Sequence, residues 1–132
     1  MRPLHSSVSY SRRRIMLKRN IEIKRTIILT GRTDLRRGID GLVSLVRLNY
    51  NIDPLDKGIL FLFCGKKKDR IKGLLYEGDG WVMVYKRLTF GRYMWPNNPE
   101  EAKALSWEEY DRFMGGFAIE SSIKENKRPA RK

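Results

Sequence analysis

Residues 59–95, ILFLFCGKKKDRIKGLLYEGDGWVMVYKRLTFGRYMW, constrain the fold more than any other stretch. They hold three apolar runs, Ile59–Cys64, Ile71–Tyr76 and Trp81–Leu88. Each is rich in β-branched or aromatic residues and bounded by turn formers, the pattern of short strands. Gly65–Asp69 separates the first two runs, and Gly78-Asp79-Gly80 the second and third. Asp-Gly between two such runs is a strong hairpin signal. The stretch predicts a meander of three antiparallel strands, with a fourth at Phe90–Trp95.

The hairpin sorts its side chains into two faces. A two-residue loop at Gly78-Asp79 pairs Tyr76 with Trp81, and one at Asp79-Gly80 pairs Tyr76 with Met83. Both give the same partition, because side chains alternate with period two. One face carries Ile71, Gly73, Leu75, Val82, Val84 and Leu88, with Glu77 and Lys86 at its ends, and reads as a core face. The other carries Arg70, Lys72, Leu74, Tyr76, Trp81, Met83, Tyr85 and Arg87, aromatic rings interleaved with cations. That second face suits either base stacking or a second core layer under a C-terminal helix, and the core layer is the preferred reading.

Upstream, Ile21–Thr30 reads as a strand or strand pair centred on Ile27-Ile28-Leu29 and ended by Gly31. Thr33 is placed to cap a helix, with Asp34 in its first turn. Leu35, Ile39, Leu42, Val43, Val46 and Tyr50 then mark one face of a helix. Gly38 and Gly41 within it point to close packing on the sheet. Downstream, Pro96–Pro99 reads as a loop. Ser106-Trp107-Glu108-Glu109 is a capping box, with Leu105 and Tyr110 as its hydrophobic staple. It opens a helix with Trp107, Tyr110, Phe113 and Met114 on one side, stopped by Gly115-Gly116.

The expected fold class is therefore α+β: an antiparallel β-meander of about four to five strands, one long helix over about 34–50 and one short C-terminal helix over about 107–114. One domain over 21–119 accounts for the pattern. Residues 1–20 and 120–132 show no periodicity and read as a disordered basic arm and a basic tail. The arm's Arg- and Ser-rich composition also resembles a transit peptide. Met16 is an alternative start, because the structured pattern begins soon after it.

Charge narrows the partner class. The chain of 132 residues carries a formal +13. Residues 1–25 hold eight Lys/Arg against one Glu, and 120–132 hold five against two, so the two ends carry +10. Within the remainder, 57–92 hold nine cations against three acids. Such a chain attracts polyanions, above all nucleic acid. No run nears the ~18 apolar residues of a membrane span, so no membrane partner is expected. Cys64, the only cysteine, rules out an intrachain disulfide and reads as a buried structural thiol. With one Cys and one His, no zinc site of usual composition exists, and no cofactor is expected.

The densest local feature is Lys66-Lys67-Lys68-Asp69-Arg70-x-Lys72, five cations in seven residues at a strand connection. Lys and Arg there contact phosphates without reading sequence. With Lys86, Arg87 and Arg92 they form the candidate DNA-binding set. A charged turn that keeps a sheet edge soluble is the competing reading. The acids Asp34, Asp40, Asp69, Glu77 and Asp79 show no convergence of the kind a metal nuclease needs, so no catalytic residue or metal site is expected.

Taken in order, several motifs carry a resemblance. They are Thr33-Asp34-Leu35-Arg36-Arg37-Gly38-Ile39-Asp40-Gly41-Leu42; Asp53-Pro54; Phe63-x-Gly65-x-x-x-Asp69-Arg70-x-Lys72; Gly78-Asp79-Gly80; Tyr85-Lys86-Arg87-Leu88; and Gly91-Arg92-Tyr93-Met94-Trp95-Pro96. Together they span roughly 27–117 and resemble the second reading frame of the insertion-sequence 66 family. That frame encodes a small accessory protein of the TnpB type, unrelated to the RNA-guided nuclease of the same name. The resemblance implies a bacterial, cytoplasmic protein that is not an enzyme and that supports a separate transposase of the same element. The competing function is a protein–protein adaptor of the transposase without DNA contact, and a metal-dependent nuclease is a distant third. The resemblance leaves oligomeric state open.

Overall fold

The computed structural model describes residues 7–10, 14–15, 22–49, 53, 55, 58–104 and 106–115. Along them run β1 (Ser7–Tyr10), β2 (Arg14–Ile15), β3 (Glu22–Ile23), β4 (Arg25–Leu29), α1 (Ile39–Asn49), β5 (Ile59–Cys64), β6 (Arg70–Tyr76), β7 (Trp81–Arg87), α2 (Pro99–Lys103) and α3 (Trp107–Met114). Strands β1-β4-β5-β6-β7 form one sheet in that order, and β2 pairs with β3 in a small ribbon. Ser7–Tyr10 and Arg14–Ile15, assigned to the arm on sequence, are therefore strands. The rest of 1–20 and all of 120–132 lie outside the described residues.

The meander β5-β6-β7 is antiparallel. Its hairpin takes the Gly78-Asp79 loop: Tyr76 stands opposite Trp81, and Glu77 N–H donates to the Gly80 carbonyl at 2.8 Å. Gly78 has φ +98°, which the first central position of a primed hairpin turn requires. The two faces are partitioned as the alternation predicts.

The sheet as a whole is mixed, not purely antiparallel. β4 pairs parallel to β5, Ile27 opposite Phe61. The cause is α1, which lies between these strands in sequence and makes the crossover a parallel pair needs. Phe90–Trp95 is not a strand; its backbone is engaged by other loops. Tyr93 N–H donates to the Lys68 carbonyl at 2.7 Å.

The long helix is shorter than expected. It starts at Ile39, not near residue 34, and Tyr50 lies outside the described residues. Thr33 is no cap: its Oγ1 is buried without a partner among the described residues. Asp34 is not on the helix either. Its Oδ1 accepts from Arg36 N–H at 3.1 Å and closes a local turn. The first helical bond runs from Leu42 N–H to the Gly38 carbonyl at 3.0 Å.

Helices cover both faces of the sheet, which is why all six residues of β5 are buried. On one face α1 contributes Leu42, Val43, Leu45 and Val46 to a cluster with Ile27, Leu29, Phe61, Phe63 and Leu74, and Trp81 and Met83 pack against it. The aromatic–basic face is thus a core layer along part of its length, but under α1 and not under the C-terminal helix. On the other face Tyr110, Phe113 and Met114 of α3 join Tyr93, Trp95, Leu60, Leu62, Ile71 and Leu75. Tyr110 Oη and Thr26 Oγ1 bond across that core at 2.7 Å.

The helix α3 has the expected bounds, and Ser106 Oγ accepts from Glu109 N–H at 3.1 Å. Trp107 does not join its buried side. It sits in the first turn, past the core edge, 52% exposed, edge-on to Tyr110. The staple residue Leu105 lies outside the described residues. The helix α2 was not expected and begins inside the stretch read as a loop: Asn98 caps it, its Oδ1 accepting from Glu101 N–H at 2.8 Å, with Pro99 opening its first turn.

Candidate nucleic-acid interface at one end of the sheet

Cations are gathered at one end of the sheet. At that end the chain leaves β4, leaves β5 and enters β6, and leaves β7. Three loops meet there, 31–38, 65–69 and 88–98, and together they hold seven Lys/Arg against two Asp. Backbone bonds fasten them to one another. Thr33 N–H donates to the Cys64 carbonyl at 2.8 Å, Leu88 N–H to Asp69 at 2.7 Å, and Gly31 N–H to Pro96 at 2.9 Å. At the other end the 77–80 loop carries Glu77 and Asp79, and Lys24 and Arg25 stand where β4 begins.

The 65–69 turn is held by its own backbone. Gly65 N–H reaches the Arg70 carbonyl at 3.2 Å, and Lys68 N–H the Gly65 carbonyl at 3.1 Å. Lys68 takes φ +62°, an uncommon value for a residue with a Cβ. Lys66 and Lys67 are exposed and Lys68 half-buried; Lys68 Nζ reaches Asn97 Oδ1 at 3.4 Å.

Both aspartates of these loops are engaged by the next arginine. Arg36 Nε and Nη2 donate to Asp34 at 3.0 and 2.9 Å, and this contact, with the Arg36 backbone bond, lowers the Asp34 pKa to about 2. Arg70 Nε donates to Asp69 Oδ1 at 2.9 Å, which lowers the Asp69 pKa. Asp69 in turn raises that of Arg70, with a smaller contribution from the Tyr85 hydroxyl beside it.

Next to these pairs, Lys72 Nζ donates to the Arg37 carbonyl at 2.8 Å and lies 5.6 Å from the centroid of the Tyr85 ring. Lys72 stands opposite Tyr85, and Arg70 opposite Arg87, on the same face of the hairpin. Arg87 and Arg92 are exposed.

The structure therefore gathers Lys66, Lys67, Lys68, Arg70, Lys72, Arg87 and Arg92 at one end. It separates Lys86, which projects from the opposite face, across from Ile71. Of the motif residues, Thr33, Asp34, Arg36, Gly38, Asp40, Gly41, Asp69, Tyr85, Trp95 and Pro96 lie at or beside this end. Gly78, Asp79 and Gly80 form the turn at the other. Trp95 is structural: its indole Nε1 donates to the Leu29 carbonyl at 3.0 Å. Arg37 was missed as a contributor, because the sequence reading placed it inside a helix.

Cys64 is fully buried, and burial raises its thiol pKa to about 12. Among the described residues no three His, Cys, Asp or Glu side chains stand close enough to hold a metal ion. No helix among them is long and apolar enough to cross a membrane.

A family model described as "IS66 Orf2 like protein" matches residues 24–124. Two proteins of Sinorhizobium fredii are similar to this chain. "Uncharacterized protein y4jC" is 33% identical over 93 residues, 70% of this chain and 79% of that protein. "Uncharacterized protein y4hO" is 35% identical over 93 residues, 70% of this chain and 80% of that protein. No solved structure matches.

Proposed function

This chain belongs to the IS66 Orf2-like family, whose members are associated with transposition, and from that premise we propose that it is a non-catalytic accessory protein that contacts DNA through the cationic end of its sheet while assisting a separate transposase in the bacterial cytoplasm. The observation that carries this reading is the convergence of three loops with seven cations and two acids, both acids already held by neighbouring arginines. The net positive field at that end is left for an outside polyanion. Contacts of this type hold phosphates without specifying sequence.

The adaptor reading rests on a different feature. A cleft of about 650 Å³ lined in part by Met94, Trp95, Pro96, Glu101 and Ser106 presents the exposed side chain of Met94, a surface suited to a protein partner.

A salt titration separates the two. Replacing Lys66, Lys67 and Lys68 together by Ala weakens binding to every DNA sequence alike. It flattens the log–log salt slope by up to about 0.9 per lost phosphate contact on duplex and about 0.7 on single strands. An unchanged slope takes the turn out of the interface.

A further inference from the structure

The cationic sheet end carries an exposed aromatic ring. Tyr85 is 51% exposed although it stands on a strand whose neighbours Trp81 and Met83 pack against the α1 core cluster. Its ring is flanked by Lys72 at 5.6 Å, and its hydroxyl lies by Arg70. Both cations are themselves fixed, Lys72 by the Arg37 carbonyl and Arg70 by Asp69. Arg87 follows two residues later on the same face. The result is an exposed ring set among fixed cations, at the point where the core layer gives out.

Among the described residues the helices offer no such surface. Each carries at least one acid for every cation: Asp40 and Arg47 in α1; Glu100, Glu101 and Lys103 in α2; Glu108, Glu109, Asp111 and Arg112 in α3. None presents the basic face that a helix in the major groove needs. Nor is the β6-β7 pair free to enter a groove as a ribbon, since its two faces contribute to the two core clusters. In a duplex the base faces are stacked on one another and give a protein ring nothing to lie on. An unpaired base gives it a whole face.

Building on DNA contact at this end, we propose that the nucleic acid bound is an unpaired strand, with Tyr85 stacking on a base while Arg70, Lys72 and Arg87 hold the flanking phosphates. Electrostatic contact supplies the sequence-independent part of the affinity, and the ring supplies the preference for single strands.

The test uses the full chain with two fluorescent probes, a mixed-sequence single-stranded DNA longer than the roughly 4–16 nucleotides one such module covers, and the duplex of the same sequence. The unaltered protein binds the single strand more tightly. Tyr85→Ala weakens single-strand binding by about 5- to 100-fold and leaves duplex binding within about two-fold, because phosphate contacts remain. Tyr85→Phe, which keeps the ring, restores the single-strand affinity. Equal losses on both probes, or none on either, overturn the stacking role; a ring that serves a protein partner gives the second result. A preference for duplex overturns the single-strand assignment and leaves DNA contact standing. No binding to either probe sinks both.

Discussion

The ammonium of Lys72, on β6, donates to the main-chain carbonyl of Arg37 at 2.8 Å, across 35 positions of sequence. This bond ties the hairpin to the loop that precedes α1, and it positions Lys72 beside the Tyr85 ring. Lys72→Met keeps much of the aliphatic stem and removes the donor. The site is partly exposed, so water replaces some of the lost bond, and the stability cost is about 0.5–1 kcal/mol. Denaturant titration reads it as a lower midpoint at unchanged slope. DNA binding falls by more than the loss of one charge elsewhere, because the loop and the ring lose their common anchor. A loss no larger than that of Arg47→Met, on the far part of α1, contradicts this.

Gly73 marks the tightest point of the meander. A Cβ there would lie 3.0 Å from Val84 Cγ2, 3.3 Å from Leu60 Cδ1 and 3.4 Å from Leu62 Cδ2. All three belong to or pack on the cluster under α3, so none swings away freely. Gly73→Ala gains strand propensity but overpacks this spot, and the net effect is a loss of about 1–3 kcal/mol. A neutral or stabilised variant on thermal melting would show that the cluster can relax.

The meander was legible because its information is local. Alternation and the Gly78-Asp79-Gly80 turn define two faces whatever packs on them, and Ser106 with Glu109 defines the start of α3. What covers each face was not legible. The preference for a core layer beneath Trp81 and Met83 agrees with the structure, but the covering helix is α1, because nothing in a face's apolarity names its partner. The parallel pairing of β4 with β5 had a signal in the strand–helix–strand order of 25–64, which weighs against an all-antiparallel sheet. The early helix start at residue 34 failed for a different reason. Thr33-Asp34 has the composition of a cap, yet Asp34 spends its carboxylate on Arg36 and leaves the helix to begin after Gly38. At the candidate site the run of lysines was plain in the sequence. That loops 31–38 and 88–98 join it was not, since the joining bonds are made by backbone groups.

The Asp34–Arg36 contact predicts a pH response. The folded carboxyl titrates at about 2, below its ordinary value of 3.8, chiefly through the Arg36 hydrogen bonds. A depressed carboxylate contributes above its ordinary value and loses that contribution as pH falls toward about 2. NMR titration of the Asp34 side chain gives a midpoint near 2, and Arg36→Ala returns it toward 3.8. A midpoint unmoved by Arg36→Ala rules out this pairing in solution.

Trp81 separates packing from binding on one strand. It stands opposite Tyr76, with ring centroids 5.0 Å apart, and packs against the cluster under α1. Two residues along, Met83 does the same, and two further, Tyr85 emerges into solvent. Trp81→Ala therefore falls mainly on folding. The ring is half-buried, so the cost is about 2–3 kcal/mol, below the 3–5 kcal/mol of a fully buried aromatic. Against a typical stability of about 5–15 kcal/mol, denaturation resolves that readily. Under conditions where the variant remains folded, its single-strand affinity stays close to that of the unaltered protein, whereas Tyr85→Ala shows the reverse pattern, folding intact and single-strand affinity lost. If Trp81→Ala instead spares stability and abolishes single-strand binding, the stacking surface extends along the whole strand and α1 does not cover it in solution.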